Sequence, residues 1–125
     1  MMQLRIAGTV ENSIVDGEGI RYTIFVQGCP HGCPGCHNPQ THDFQGGKLI
    51  DAAVLLKEIA SDPLLDGVTF SGGEPFCQAT ALAALGKQVH DLGLNLVTYT
   101  GYTLEQLLTD GREDWMALLN ETDIL

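Results

Sequence analysis

Basic residues are scarce in this chain. Six lysines and arginines stand against sixteen acidic residues, for a net charge of −10. A surface so acidic offers no basic patch to displace counterions from a phosphate backbone, which argues against nucleic-acid binding. Long apolar runs are missing as well; nothing approaches the ~20 residues that a membrane-spanning helix requires. The opening Met1-Met2-Gln3-Leu4-Arg5-Ile6-Ala7 has no apolar stretch of signal-peptide length. Nothing therefore directs the chain to an oxidising compartment, and its four cysteines are expected to be reduced thiols in the cytoplasm, not disulfides. Low-complexity tracts and internal repeats are absent. With 125 residues the chain is expected to form one domain around one core. The acidity serves solubility, or attraction to a basic surface on a partner.

What the chain does have is a knot of cysteines. Cys29, Cys33 and Cys36 lie within Gly28-Cys29-Pro30-His31-Gly32-Cys33-Pro34-Gly35-Cys36-His37-Asn38, a C-x3-C-x2-C triplet. Three thiolates in one short Gly/Pro-rich loop can converge on a point, as a metal centre requires. Iron–sulfur clusters are usually held by four cysteines, so a set of three suggests a cubane with one iron left open for another ligand. Zinc is the alternative. It takes four Cys or His ligands in a tetrahedron, and Cys77, His31, His37 or His42 can complete that set. The triplet alone leaves both readings open.

Apolar periodicity predicts alternating strands and helices. Leu4 to Val10 alternates as a short strand, and Asn12 to Gly19 is turn-rich. Tyr22-Thr23-Ile24-Phe25-Val26 is a β-branched and aromatic strand that leads directly into the cysteine loop. The stretch from Asn38 to Lys48 reads as irregular. Asp51 is placed to cap a helix running to about Ala60, with Val54, Leu55 and Ile59 on one face. Gly67 to Ser71 is the next strand. A helix over about Ala79 to Leu92 stops at Gly93. Leu94 to Thr100 is a further strand, and Thr103 caps a helix with Glu105 and Gln106 in its first turn. Another helical piece covers about Arg112 to Leu119. This order implies an α/β fold with parallel strands and helical crossovers. A complete eight-unit barrel needs roughly twice this length, so a partial (β/α) barrel or open parallel sheet is expected. Glu121-Thr122-Asp123-Ile124-Leu125 reads as the start of one more strand, so residues 1–125 are expected to lack the C-terminal part of the complete domain.

Three motifs share one position in this scheme. The cysteine loop, Ser71-Gly72-Gly73-Glu74-Pro75 and Thr100-Gly101-Tyr102 each follow the C-terminal end of a predicted strand. That edge is where parallel α/β folds bind ligands, and zinc modules give no reason for such an alignment. Glycines without Cβ atoms let the backbone approach a small molecule closely. Glu74 offers a carboxylate to an ammonium group, a charge-assisted bond of about 1.5–3 kcal/mol. The plain alternative is a strand-ending turn with an exposed glutamate.

On these residues the chain resembles the radical S-adenosylmethionine superfamily, and within it the activating enzymes of anaerobic (class III) ribonucleotide reductases. The resemblance covers nearly the whole chain. It runs through Val15-Asp16-Gly17-Glu18-Gly19-Ile20-Arg21, Phe25-Val26-Gln27-Gly28-Cys29-Pro30-His31, Cys33-Pro34-Gly35-Cys36-His37-Asn38, Phe70-Ser71-Gly72-Gly73-Glu74-Pro75 and Tyr99-Thr100-Gly101-Tyr102. Gly35 departs from the aromatic residue common in the superfamily before the third cysteine, and activases of this subgroup often have glycine there. The resemblance implies that Cys29, Cys33 and Cys36 ligate a [4Fe–4S] cluster whose fourth iron is chelated by S-adenosylmethionine. It implies that Gly35, Cys36 and His37 lie along the adenine side, and that Ser71, Gly72, Gly73 and Glu74 hold the methionyl group. The implied activity is reductive cleavage to methionine and a 5′-deoxyadenosyl radical, which removes hydrogen from a glycine of the large reductase subunit. A flavodoxin or ferredoxin is the implied electron donor, with no role for nucleic acid or membrane.

Other readings remain beside it. The chain is also compatible with activation of another glycyl radical enzyme, such as pyruvate formate-lyase. Radical enzymes that act on small molecules, such as deazaguanine synthases, share the Gly-Glu-Gly stretch before the cluster strand. They usually follow the third cysteine with Asp-Thr, whereas this chain has His37-Asn38. Cys77, which follows the Gly-Gly-Glu-Pro-Phe stretch, is expected to be a buried thiol, with contact to the site as the alternative. His31 and His37 either tune the cluster or are exposed loop residues, and His90 is read as a surface or capping residue. Arg21 fits an ion pair or the site, and Tyr102 fits the substrate mouth or ordinary packing.

Overall fold

The computed structural model describes residues 3–13, 19–27 and 48–123. Gln3–Ser13 (β1), Arg21–Val26 (β2), Lys48–Asp51 (β3), Gly67–Gly72 (β4) and Asn95–Thr98 (β5) form one open sheet in the order β3-β1-β2-β4-β5. Ala52–Ala60 (α1), Ala79–Asp91 (α2), Leu104–Asp110 (α3) and Glu113–Glu121 (α4) are helical, and a 3-10 turn spans Pro75–Gln78. The open α/β architecture matches the expectation, and its parallel part is β2, β4 and β5. Tyr22 pairs with Val68 and Val68 with Leu96 along that register. β1 runs antiparallel to β2, and β3 antiparallel to β1. The reason is chain length: the few residues between Ser13 and Arg21 cannot make the crossover that parallel pairing demands. β3 has four residues, too few to show alternation, and exists through its pairing with Gln3 to Ile6.

The helices behave largely as their local chemistry dictates. Asp51 caps α1 by accepting the Ala53 N–H at 2.9 Å. The buried stripe of α1 is Ala52, Leu55 and Ile59, at i, i+3 and i+7, and Val54 faces outward instead of joining it. α2 buries Ala79, Leu82, Leu85, Gly86 and Val89, and the chain turns away at Gly93 with φ +82°. Thr103 and Gln106 form a reciprocal capping box at the start of α3.

One face of the sheet carries the core. Leu4, Ile6, Tyr22, Ile24, Val26, Val68, Phe70 and Leu96 pack there in one cluster with the buried residues of all four helices. Each such side chain contributes about 1.5–3 kcal/mol by leaving water. The alternate residues of the parallel strands are more polar: Arg21, Thr23 and Thr69 are buried on the second face. Arg21 donates from Nε to Thr69 Oγ1 and from Nη2 to the Val68 carbonyl, both at 2.7 Å. Its guanidinium lies over Gly67, where a Cβ would come within 2.6 Å of a guanidinium nitrogen. Arg21 thus fastens the N-terminal ends of the parallel strands, opposite the edge that carries the motifs.

After α4 the chain meets the outer edge of β5. The Asp123 N–H donates to the Leu96 carbonyl at 2.9 Å, and Asp123 Oδ2 accepts the Leu96 N–H at 2.8 Å. The expected start of a strand over Glu121-Leu125 is not seen in its described part: Glu121 ends α4 and Asp123 lies in a bend, while Ile124 and Leu125 lie outside the described residues. Among the described residues no helix is long and apolar enough to cross a membrane.

His90, at the end of α2, closes this junction. Its Nε2 lies 2.8 Å from Asp123 Oδ2 and its Nδ1 3.1 Å from Glu121 Oε1. The bond to Asp123 raises the imidazole above its ordinary 6.5, with burial opposing and Glu121 adding to the rise. Asp123 is lowered from 3.8, first by His90 and then by the Leu96 amide. The stability His90 lends is therefore complete below pH 6.5 and lost as pH rises through its raised folded value. The contribution of Asp123 is present above 3.8 and lost as pH falls through its lowered value. In urea unfolding, raising the pH from about 6 should cost the wild type more stability than His90→Gln. Parallel pH profiles for the two would remove His90 from this role.

Candidate functional site at the C-terminal strand ends

The ends of β2, β4 and β5 come together at one sheet edge, as parallel pairing with matched register requires. Cys29, Cys33, Cys36, Gly35 and His37 lie outside the described residues, as do His31 and His42. The structure does show how the chain enters their segment. Val26 is the last residue of β2, and its carbonyl accepts the Gly73 N–H at 2.8 Å. Gln27 follows, buried, with its N–H on the Arg5 carbonyl at 3.0 Å.

Gln78 secures the same entrance from the other side. Its amide Nε2 donates to the carbonyls of Arg5, at 2.8 Å, and Gln27, at 3.2 Å. Its Oε1 accepts the Arg5 N–H at 2.9 Å. One side-chain amide so imitates a strand neighbour for β1 while holding the residue that precedes the cysteine segment. The sequence carries no signal for this, because the partners lie 51 and 73 residues away.

Gly72 and Gly73 form the turn that leaves β4. Gly72 has φ +91°, and a Cβ there would lie 2.7 Å from both the backbone N and O of Val26. Glycine is demanded by conformation and by contact together. Ser71, Gly72 and Gly73 are partly exposed at the sheet edge, whereas Glu74 is completely buried. Its carboxylate faces the protein: Oε1 accepts the Gly101 N–H at 2.8 Å, and Oε2 accepts the Thr100 hydroxyl at 2.7 Å and the Phe76 N–H at 3.1 Å. The alternative of a strand-ending turn with an exposed glutamate is therefore set aside. The two motif loops are joined by this one side chain.

Behind Thr100 and Gly101 sits a small aromatic group. Tyr102 packs on Trp115 with centroids 4.8 Å apart, and Phe76 meets Trp115 edge-on at 6.3 Å. The Arg112 guanidinium lies 4.6 Å above the Trp115 ring. Burial first, and the nearby Cys77 and Glu74 second, hold the Tyr102 phenol above its ordinary value. Tyr102 thus packs against α4. Cys77 is exposed, not buried, because Pro75 and Phe76 take the inward positions of the 3-10 turn. Among the described residues no group of three His, Cys, Asp or Glu side chains is placed to hold a metal.

This arrangement fits a small ligand at the sheet edge: a turn without Cβ atoms, partly exposed, anchored to strands on both sides, beside the entrance to three thiols. Comparison with known proteins gives the family. Residues 15–125 match the 4Fe-4S single cluster domain family. The chain is 36% identical over its whole length to the pyruvate formate-lyase-activating enzyme of Clostridium pasteurianum, covering 52% of that protein. It is 35% identical to the anaerobic ribonucleoside-triphosphate reductase-activating protein of Pasteurella multocida, over 78% of this chain and 66% of that one. The corresponding Haemophilus influenzae protein is 34% identical, over 90% of this chain and 75% of that one. The chain thus spans about half to two-thirds of the length of the first two relatives. In fold it is similar to QueE from Escherichia coli, with a TM-score of 0.67 at 20% identity, covering 80% of this chain and 53% of that one. The chain belongs to the 4Fe–4S single cluster domain family, of the radical S-adenosylmethionine activase type.

Proposed function

We propose that the chain is the radical-generating part of a glycyl radical enzyme activase whose protein substrate is an anaerobic ribonucleoside-triphosphate reductase. Cys29, Cys33 and Cys36 would supply three thiolates to a [4Fe–4S] cluster, leaving one iron for the amino and carboxylate groups of S-adenosylmethionine. The Gly35-Cys36-His37 segment would line the adenine side, and the Ser71-Gly72-Gly73-Glu74 turn the methionyl side. When bound, the cluster supplies the electron that splits a carbon–sulfur bond of S-adenosylmethionine, providing the 5′-deoxyadenosyl radical that takes hydrogen from a glycine of the reductase. The chain's own residues bind, orient and exclude water.

One observation carries this reading. The Gly73 N–H on the Val26 carbonyl ties the Gly-Gly turn to the entrance of the cysteine segment at 2.8 Å, which is what two halves of one cofactor site need. The similarity to activating enzymes supports the same reaction class. Pro34-Gly35 between the last two cysteines and Thr100-Gly101-Tyr102 favour the reductase as substrate. The similarity to the pyruvate formate-lyase-activating enzyme favours that lyase as the second reading. A site at the ends of the strands would suit a glycine-bearing loop presented by a protein. A flavodoxin or ferredoxin in the cytoplasm is the proposed electron donor.

Protein reconstituted anaerobically should contain iron and sulfide in close to equal amounts, and should lose both in Cys29→Ala, Cys33→Ala or Cys36→Ala. Stoichiometric zinc without sulfide would show the cluster assignment to be wrong. Under reducing conditions with S-adenosylmethionine, an anaerobic ribonucleoside-triphosphate reductase should acquire a glycyl radical doublet in electron paramagnetic resonance. The doublet should vanish when its acceptor glycine is replaced by alanine. A doublet on pyruvate formate-lyase alone would transfer the assignment to that substrate, and turnover of a small pterin-like molecule with no protein radical would end the activase reading.

A further inference from the structure

We propose that Glu74 is a positioning residue, which holds the Ser71-Gly72-Gly73 turn in place through Thr100 and Gly101 in the loop after β5. The inference rests on the reading that this turn meets the methionyl group of S-adenosylmethionine. It departs from the idea that the Glu74 carboxylate itself takes the ligand ammonium.

Ser71 and Gly72 are still paired with Phe25 and Val26 of β2, and the pairing ends there. Gly72 and Gly73 have no side chains to pack, and Gly72 turns at positive φ. The place of the turn is set by what lies on either side. Toward β2, the Gly73 N–H is anchored on the Val26 carbonyl at 2.8 Å. Toward β5, Glu74 is the anchor, accepting from the Gly101 N–H at 2.8 Å and the Thr100 hydroxyl at 2.7 Å. Because the Thr100 hydroxyl gives its proton to Glu74, its oxygen is left to accept the Tyr102 N–H at 3.1 Å. One buried carboxylate orders three consecutive residues of the β5–α3 loop and, through the Phe76 N–H at 3.1 Å, the start of the 3-10 turn. Glu74 is fully buried while Ser71, Gly72 and Gly73 are partly exposed. The groups presented at the edge are therefore those of the turn, and the carboxylate lies behind them. The carboxylate accepts from N–H and O–H donors, the partners such a buried group needs.

The two roles predict different things of Thr100, which a direct Glu74–ammonium contact does not need. In anaerobically reconstituted protein, S-adenosylmethionine binding is read by titration and by the change it causes in the electron paramagnetic resonance signal of the reduced cluster. Thr100→Val should weaken binding about tenfold with iron and sulfide content unchanged, and Thr100→Ser should restore it. Glu74→Gln should weaken binding at least as much, and adding Thr100→Val to it should cost little more, since both break one linkage. Without cofactors, the Gly101 amide should exchange its hydrogen faster in Glu74→Gln, and the Tyr102 amide faster in Thr100→Val. Wild-type affinity in Thr100→Val, or additive losses in the double variant, would overturn the assignment and return Glu74 to the ligand. So would unchanged amide exchange in both variants. If wild-type protein with a complete cluster fails to bind S-adenosylmethionine at all, the functional reading itself falls and takes this assignment with it.

Discussion

Everything at the candidate site depends on the close approach of β4 to β2 at their common end. Pairing continues to Val26 and Gly72, where a Cβ would intrude within 2.7 Å of backbone atoms. Only glycine lets the strands stay together that far and then turn. The Gly73 N–H can reach the Val26 carbonyl because Gly72 has turned at positive φ. A bulkier residue would part the strands where the chain enters the cysteine segment.

The rest of the sheet reads as support for that edge. The core lies on one face, where the four helices pack on Tyr22, Ile24, Val68, Phe70 and Leu96. At the far end Arg21 bonds to Thr69 and Val68 across the strands. A buried guanidinium without such acceptors would be costly, so its bonds fix strand register as well as satisfying charge. With register held at one end and apolar packing along the middle, the motif ends of β2, β4 and β5 are carried to one level.

Much of this was legible in the residues themselves. Asp51, Gly93, Thr103 and Gln106 act on backbone within a few residues, so their effect is local and readable. Among the described residues, period-two and helical patterns located four of the five strands and all four helices. The antiparallel seating of β1 and β3 was not legible, since a strand's own pattern does not name its neighbour. Val54 was misassigned because the apolar count around α1 exceeds the one stripe that the sheet covers. Cys77 was expected inside on its general preference, but Pro75 and Phe76 occupy the inward positions of its turn.

The sequence by itself determined the chemistry available: three thiols in one segment, a Gly-Gly-Glu turn and a Thr-Gly-Tyr turn, each at the end of a strand. Spacing and strand order are properties of the chain, and they suffice to single out one edge as the candidate site. Tertiary structure decided what each side chain does there. Glu74 is buried against Thr100 and Gly101, Gln78 serves β1 and Gln27, and His90 meets Glu121 and Asp123. These partners stand 26 to 73 residues apart in the chain. No local pattern encodes such a meeting, because it exists only once the strands have paired and brought distant loops to hydrogen-bond distance.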